Sequence, residues 1–285
     1  MNSKTILKHE IELLYQNILE HPATNHSAFK LIVNLAQTSL LHAHHFNIFR
    51  TFIFSRVFLT IPSICESIKQ NILRGELKAA KTAFQNLVEE MSFSKNGKDF
   101  THVELMQNSF NFIGERIFNL PCVTPLEEFC NIRFQEIVIY QSLVKELYRS
   151  YPNIISFAQE VSSGGDNSEQ HPGMMASMYQ AFYSIFHANQ HIVSKINFSE
   201  EVLPYFKAHI VLDERFRIKQ DTQGVEYQHG QRAKVDFIES INSTEELLLS
   251  KTLILSFLDA QNNLFDRLEK ELNTLTQNSL KTSVG

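Results

Sequence analysis

"TPLEEFCNIRFQEIVIYQSLVKELYRS", Thr124–Ser150, sets the fold class. Thr124 offers an N-cap oxygen, Pro125 stands at the first helical position where no N–H is needed, and Glu127 at the third can reach back. Phe129, Ile132, Tyr140 and Leu143 then recur on one helical stripe, with Glu136 among them. "STEE" at Ser243–Glu246 repeats the start signal for a long C-terminal helix reaching about Leu275. Elsewhere 3.6-residue periodicity is widespread, and alternation with period two is rare. The chain therefore reads as all-α, with helices near 3–20, 26–45, 46–74, 77–93, 101–118, 125–150, 153–162, 173–196, 203–218, 225–241 and 244–275. Breaks are expected at "FSKNGKD" near Asn96, "SSGGDNSEQHPG" at Ser162–Gly173 and "QDTQG" near Gly224. Short links between long amphipathic helices imply one bundle, residues 1–278 with its core at about 26–262, and a frayed tail at 279–285.

Composition bounds the function. The chain has 285 residues, 43% hydrophobic and 20% charged, enough for a large core. A net charge of -5 and the absence of any basic run exclude a phosphate backbone as the expected partner. Three cysteines (Cys65, Cys122, Cys130) at unrelated spacings give neither a disulfide framework nor a zinc pair, and point to a reducing, cytoplasmic setting. The first residues carry Lys4, Lys8, His9 and Glu10 and lack a signal-peptide core. "TFIFSRVFLTIPSI" and "LLLSKTLILSFL" each hold a cation and are too short for a bilayer span, so no membrane is expected.

The chemistry-bearing stretch is "YFKAHIVLDERFRIKQDTQGVEYQHGQRA", Tyr205–Ala233. Tyr205, His209, Leu212 and Phe216 share a stripe with Asp213 at its edge; Glu226, His229, Ala233, Phe237 and Ile241 share the next. Both helices aim an acid and an imidazole inward. Burying even a polar group without a partner costs roughly 2–7 kcal/mol, so something must compensate. Glu226-x-x-His229 has the spacing by which one helix gives a metal two ligands, and carboxylate with imidazole suits iron or manganese. The competing reading is two core histidines bonded to neighbouring acids. An earlier acid–imidazole set has Phe84, Leu87, Val88 and Met91 as its expected buried stripe, Glu90 beside it, and His102 opening the next helix. A solvated helix end would explain Glu89 and Glu90 equally. The candidate ligands are thus Glu90, His102, His209, Asp213, Glu226 and His229.

The segments "NLVEEM…H", "VELMQNSF", "YFKAH…D" and "HGQRA" resemble, in order and spacing over about residues 26–260, the haem-oxygenase-like di-iron oxidase/oxygenase superfamily. The resemblance implies a haem-oxygenase-like helical bundle, two Fe ions (or Mn), and O2-dependent chemistry on a small amine, amino acid or carboxylic acid. Two departures matter. Phe216 stands where the family places a late His, so an insertion, "RIKQDTQGV", would shift that ligand to His229. The family's middle-helix Glu has no counterpart in "SMYQAFYSIFHANQ", which leaves Glu226 or Glu136 to take its role, while His187 falls on a polar stripe. A metal-free enzyme of the same bundle, a helical interaction module and a homodimer all stay open.

"LLHAHHFNIF" is set aside, since His42, His44 and His45 point around most of a helix. Cys130 lacks a paired His, and "SSGGD" lacks the strand and Lys-Ser/Thr ending of a phosphate loop.

Overall fold

The computed structural model describes the chain except residues 1–2, 96–97, 131–132, 167, 169, 194–197, 214, 216, 220–223 and 283–285. The described residues form fifteen α-helices and one two-stranded hairpin. Helices α1 (Ser3–Glu20), α2 (Ser27–Gln37), α3 (Ala43–Val57), α4 (Thr60–Leu73) and α5 (Leu77–Met91) come first. The strands β1 (Phe93–Lys95) and β2 (Lys98–Phe100) then pair antiparallel. After them run α6 (His102–Phe118), α7 (Pro125–Cys130), α8 (Gln135–Ser150), α9 (Pro152–Gly164) and α10 (Gly173–Ala188). Three short helices, α11 (Gln190–Val193), α12 (Phe198–Glu201) and α13 (Leu203–His209), lead to α14 (Val225–Ser240) and α15 (Thr244–Thr282).

The axis of the bundle is α15, 39 residues and so roughly 58 Å long. Its buried stripe Leu247, Ile254, Phe257, Leu258, Leu264, Phe265, Leu268 and Leu272 meets α2, α3, α8 and α9. Both expected start signals form. Glu127 N–H donates to Thr124 Oγ1 at 3.1 Å, and Thr124 N–H to Glu127 Oε2 at 2.6 Å. At α15, Glu246 N–H donates to Ser243 Oγ while Asn242 N–H donates to the Glu246 carboxylate. Phenylalanines fill the centre: Phe110 meets Phe182 edge-on at 4.4 Å, with Phe46 and Phe49 against both. Residues 43–73, among the described ones, make the one stretch apolar and long enough to cross a membrane by composition, with mean hydropathy 1.4. Yet 67% of that window is buried inside the protein.

Several expected helices are shorter. The 26–45 helix ends at Gln37, and Ser39 takes a left-handed φ of 59°. Pro62 cannot donate to the Phe58 carbonyl, so α3 and α4 meet at a break rather than running as one helix. The 125–150 and 173–196 helices divide or stop early, at Cys130 and Ala188.

The largest correction concerns α5. Phe84, Val88 and Met91, expected inside, are 55%, 47% and 48% exposed, and Ala80, Asn86 and Glu90 face inward instead. The face that α5 turns inward carries Ala80, Asn86 and Glu90, and the helix packs on α4 with its larger apolar groups left outward.

Candidate metal centre

The inward face of α5 places Glu90 in the interior, 7% exposed. The β1–β2 hairpin then reverses the chain, so α6 returns beside α5. A capping box fixes where α6 begins: Glu104 N–H donates to Thr101 Oγ1 at 3.1 Å, and Thr101 N–H to Glu104 Oε2 at 2.7 Å. His102 is the first residue inside that cap. Its Nδ1 comes to 3.3 Å from Glu90 Oε2, yet is buried with no hydrogen-bond partner.

His209 ends α13, and its ring lies 4.4 Å from that of His102. Its Nδ1–H donates to the Tyr205 carbonyl at 2.7 Å, which fixes the tautomer and leaves the Nε2 lone pair outward. That lone pair faces Glu226 Oε1 at 3.5 Å. Glu226 lies in the first turn of α14, where the helix dipole favours an anion. One turn on, His229 Nε2 meets Glu89 Oε2 at 2.5 Å, and Nδ1 lies 3.6 Å from Glu160 Oε2. Arg232 grips Glu89 with both terminal nitrogens, at 3.1 and 2.6 Å.

Two triads result. Glu90, His102 and His209 offer ligand atoms within 4.8 Å of one another, and so do Glu90, Glu226 and His229. Glu90 belongs to both. The residues fit a pair of cations by their donor chemistry: His209 Nε2 faces the Glu226 carboxyl at 3.5 Å and His102 Nδ1 faces Glu90 at 3.3 Å, so buried nitrogen and oxygen ligand atoms share one space.

The electrostatics agree. Burial, with His102 alongside, pushes the His209 pKa down to about 4, so the imidazole is neutral as a ligand must be. Burial raises Glu226 to about 8 in the metal-free protein. Burial also pushes Glu90 up, but the adjacent His102, His209 and His229 override it and the net shift is downward. For His229 burial is outweighed by Glu160 and Glu89, which lift it to about 10. Glu226 and His229 thus hold protons that a metal would have to displace, while Glu90 and His209 are already shifted toward their ligating forms.

Five of the six sequence candidates therefore converge: Glu90, His102, His209, Glu226 and His229. Asp213 does not. The helix expected over 203–218 stops at His209, and Ile210 is extended. Asp213 instead accepts the backbone N–H of Arg215 and Arg217 and pairs with the Arg217 side chain at 2.7 Å, closing a local turn. Asp213→Ala is accordingly expected to leave metal stoichiometry unchanged, as elemental analysis would read. Phe216 and the 220–223 part of the expected insertion lie outside the described residues. Glu136 is not brought into either triad and lies instead beside Arg267 of α15, at 3.8 Å. His187 is exposed.

Glu160 is the residue that sequence reading missed. On α9 every residue from Phe157 to Ser163 is buried, so an acid there has no solvated face to occupy. Phe157 and Val161 around an internal Glu were the available signal. Close approach of α9 to α14 puts Glu160 on the centre: a Cβ on Gly164 would stand 2.7 Å from the Glu226 carbonyl oxygen. Gly164→Ala should therefore cost about 1–3 kcal/mol in chemical denaturation and weaken metal binding together, by pushing α14 away.

The two other buried histidines are accounted for locally. His45 Nδ1 accepts the His42 N–H at the start of α3. His26 Nδ1 accepts the Ala28 N–H at 3.0 Å, so its Nε2 carries the proton and donates to Asp266 at 3.2 Å. Ligation there would cost α2 its cap. Cys65, Cys122 and Cys130 are free and exposed.

No protein-family model and no curated protein matches the chain. Among solved structures it is similar to a CADD-like protein of unknown function from Nostoc punctiforme, with a TM-score of 0.59 and 12% identity. The fold is CADD-like. The match covers 94% of this chain and 98% of that one, so the helical architecture corresponds nearly end to end.

Proposed function

We propose that the chain is a non-haem di-iron oxidase or oxygenase, using O2 on a small amine, amino acid or carboxylic acid. The observation that carries this reading is Glu90, shared by two triads of buried ligand atoms. Glu90, His102 and His209 would hold one ion and Glu90, Glu226 and His229 the other, with Glu160 beside His229. Three carboxylates and three imidazoles form a mixed oxygen–nitrogen donor set suited to iron or manganese. Two Fe(II) ions held there would supply the electrons for O2 reduction. The protein's own part is to hold the ligands and exclude water. Tyr205 fixes the His209 tautomer through its carbonyl, and Glu89, clamped by Arg232, orients His229. The aromatic wall of Tyr179, Phe182 and Phe206 keeps the interior dry.

The second reading, a metal-free module, draws on His229 lying between Glu89 and Glu160 as an ion triad. Anaerobic Fe(II) titration followed by exposure to O2 separates the two. The di-iron reading expects two tightly bound irons per chain and O2 uptake that needs them. A chain that binds no iron, or whose O2 uptake survives His209→Ala, belongs to the second reading.

A further inference from the structure

Arg56, in the last turn of α3, is 6% exposed. Its Nε donates to Gln261 Oε1 at 3.2 Å and a terminal nitrogen to Ser163 Oγ at 3.2 Å, with the Tyr140 hydroxyl also against it. All three partners are neutral. Among the described residues no carboxylate lies within ion-pair distance of Arg56, although a guanidinium has five N–H donors in a fork matched to one. Arg50, the other buried arginine of α3, also lacks an ion pair among the described residues and leaves its Nε unpartnered, but its terminal nitrogens are tied to Asn47, Asn111 and the Pro121 carbonyl, away from the candidate ligands.

Arg56 borders the centre. Its partner Ser163 lies one turn beyond Glu160 on the buried face of α9. The helix that carries Glu90 also holds an unsatisfied group. Asn86, one turn before Glu90 on the inward face of α5, is 4% exposed and its Oδ1 has no hydrogen-bond partner. A buried amide oxygen with no donor is a place where a water or a ligand group can supply one.

Charge counting points the same way. Glu90, Glu160 and Glu226 bring three negative charges, Arg232 neutralises Glu89, and the metal-binding imidazoles are neutral. Two divalent cations would leave a surplus of one positive charge, and Arg56 makes it two. With two divalent cations bound, the interior would therefore call for an anion.

We propose that Arg56 is the anchor for a substrate carboxylate, with Asn86 Oδ1 receiving a donor from the same molecule. This narrows the substrate to a small carboxylic acid, amino acids included, and sets simple amines aside. It rests on the reading of the cluster as a two-metal centre.

The test is calorimetric titration of wild type, Arg56→Met, Arg56→Lys and Ser163→Ala with two probe pairs, hexanoate with hexanamide and L-norleucine with its amide. Each protein is measured anaerobically with Fe(II) and metal-free, with helicity and iron content recorded. Wild type is expected to favour the carboxylate of a pair at least about tenfold, and Arg56→Met to abolish that preference with fold and iron intact. Should Arg56→Met fail to fold, Arg56→Lys and Ser163→Ala are expected to lose several-fold in carboxylate affinity alone. No carboxylate preference in wild type, or an undiminished one in the folded variants, overturns the proposal. Wild type that takes up no iron sinks the two-metal reading, and the anchor then stands or falls on the carboxylate preference of the metal-free protein.

Discussion

Glu90→Gln should empty both halves of the centre at once. The carboxylate is common to the two triads, and the amide keeps its shape while losing the charge and one acceptor oxygen. Even an outer partner of a ligand is worth about 10–100-fold in metal affinity, so loss of the shared ligand should exceed about 100-fold. His102→Ala and Glu226→Gln each touch one triad, and each is expected to leave at least one ion with residual affinity. Competition titration with a chelator of known affinity distinguishes these patterns. Equal effects from all three substitutions would mean that Glu90 belongs to a single site.

Removing the metal should invert the pH dependence of stability. In the metal-free protein His229 is raised above its ordinary 6.5 to about 10, chiefly because Glu160 and Glu89 outweigh burial. A raised folded pKa gives stability that is full below the unfolded value and lost as pH climbs through the folded one. Glu226, raised by burial to about 8, behaves alike, its contribution present below pH 4.5 and lost through pH 8. His209, lowered to about 4, works at the other end: its stability is present above pH 6.5 and lost as pH falls through 4. Between pH 7 and 9 the two raised groups, titrating as one cluster, should cost the metal-free protein about 3 kcal/mol. The loaded protein should stay level or gain over that window, because binding releases the same protons. Urea denaturation at pH 7 and 9, with and without iron, reads the contrast. Parallel slopes would show that the metal does not displace those protons.

The helical class was legible because helix starts are local: Thr124 with Glu127, and Ser243 with Glu246, form their caps as the letters suggest. Inward acids and imidazoles were legible where the helix continued, as from Glu226 to His229. They were not where a side chain competes with the helix. Asp213 has helical spacing from His209, yet its carboxylate is better satisfied by the backbone N–H groups of its own turn. The outward turn of Phe84, Val88 and Met91 was hidden for another reason. Periodicity reports which residues share a stripe and not which stripe meets the core, and α5 turns the stripe of Ala80, Asn86 and Glu90 inward. Glu160 was obscured because α9 is buried all round, which leaves no polar face for an acid to stand out from.

Anomalous diffraction at the iron edge from crystals of the Fe(II)-loaded protein tests the central claim most directly. Two peaks about 3.5–4 Å apart, with Glu90 touching both, are predicted. A single peak away from Glu90, or none among Glu90, His102, His209, Glu226 and His229 in protein that has bound iron, would contradict it.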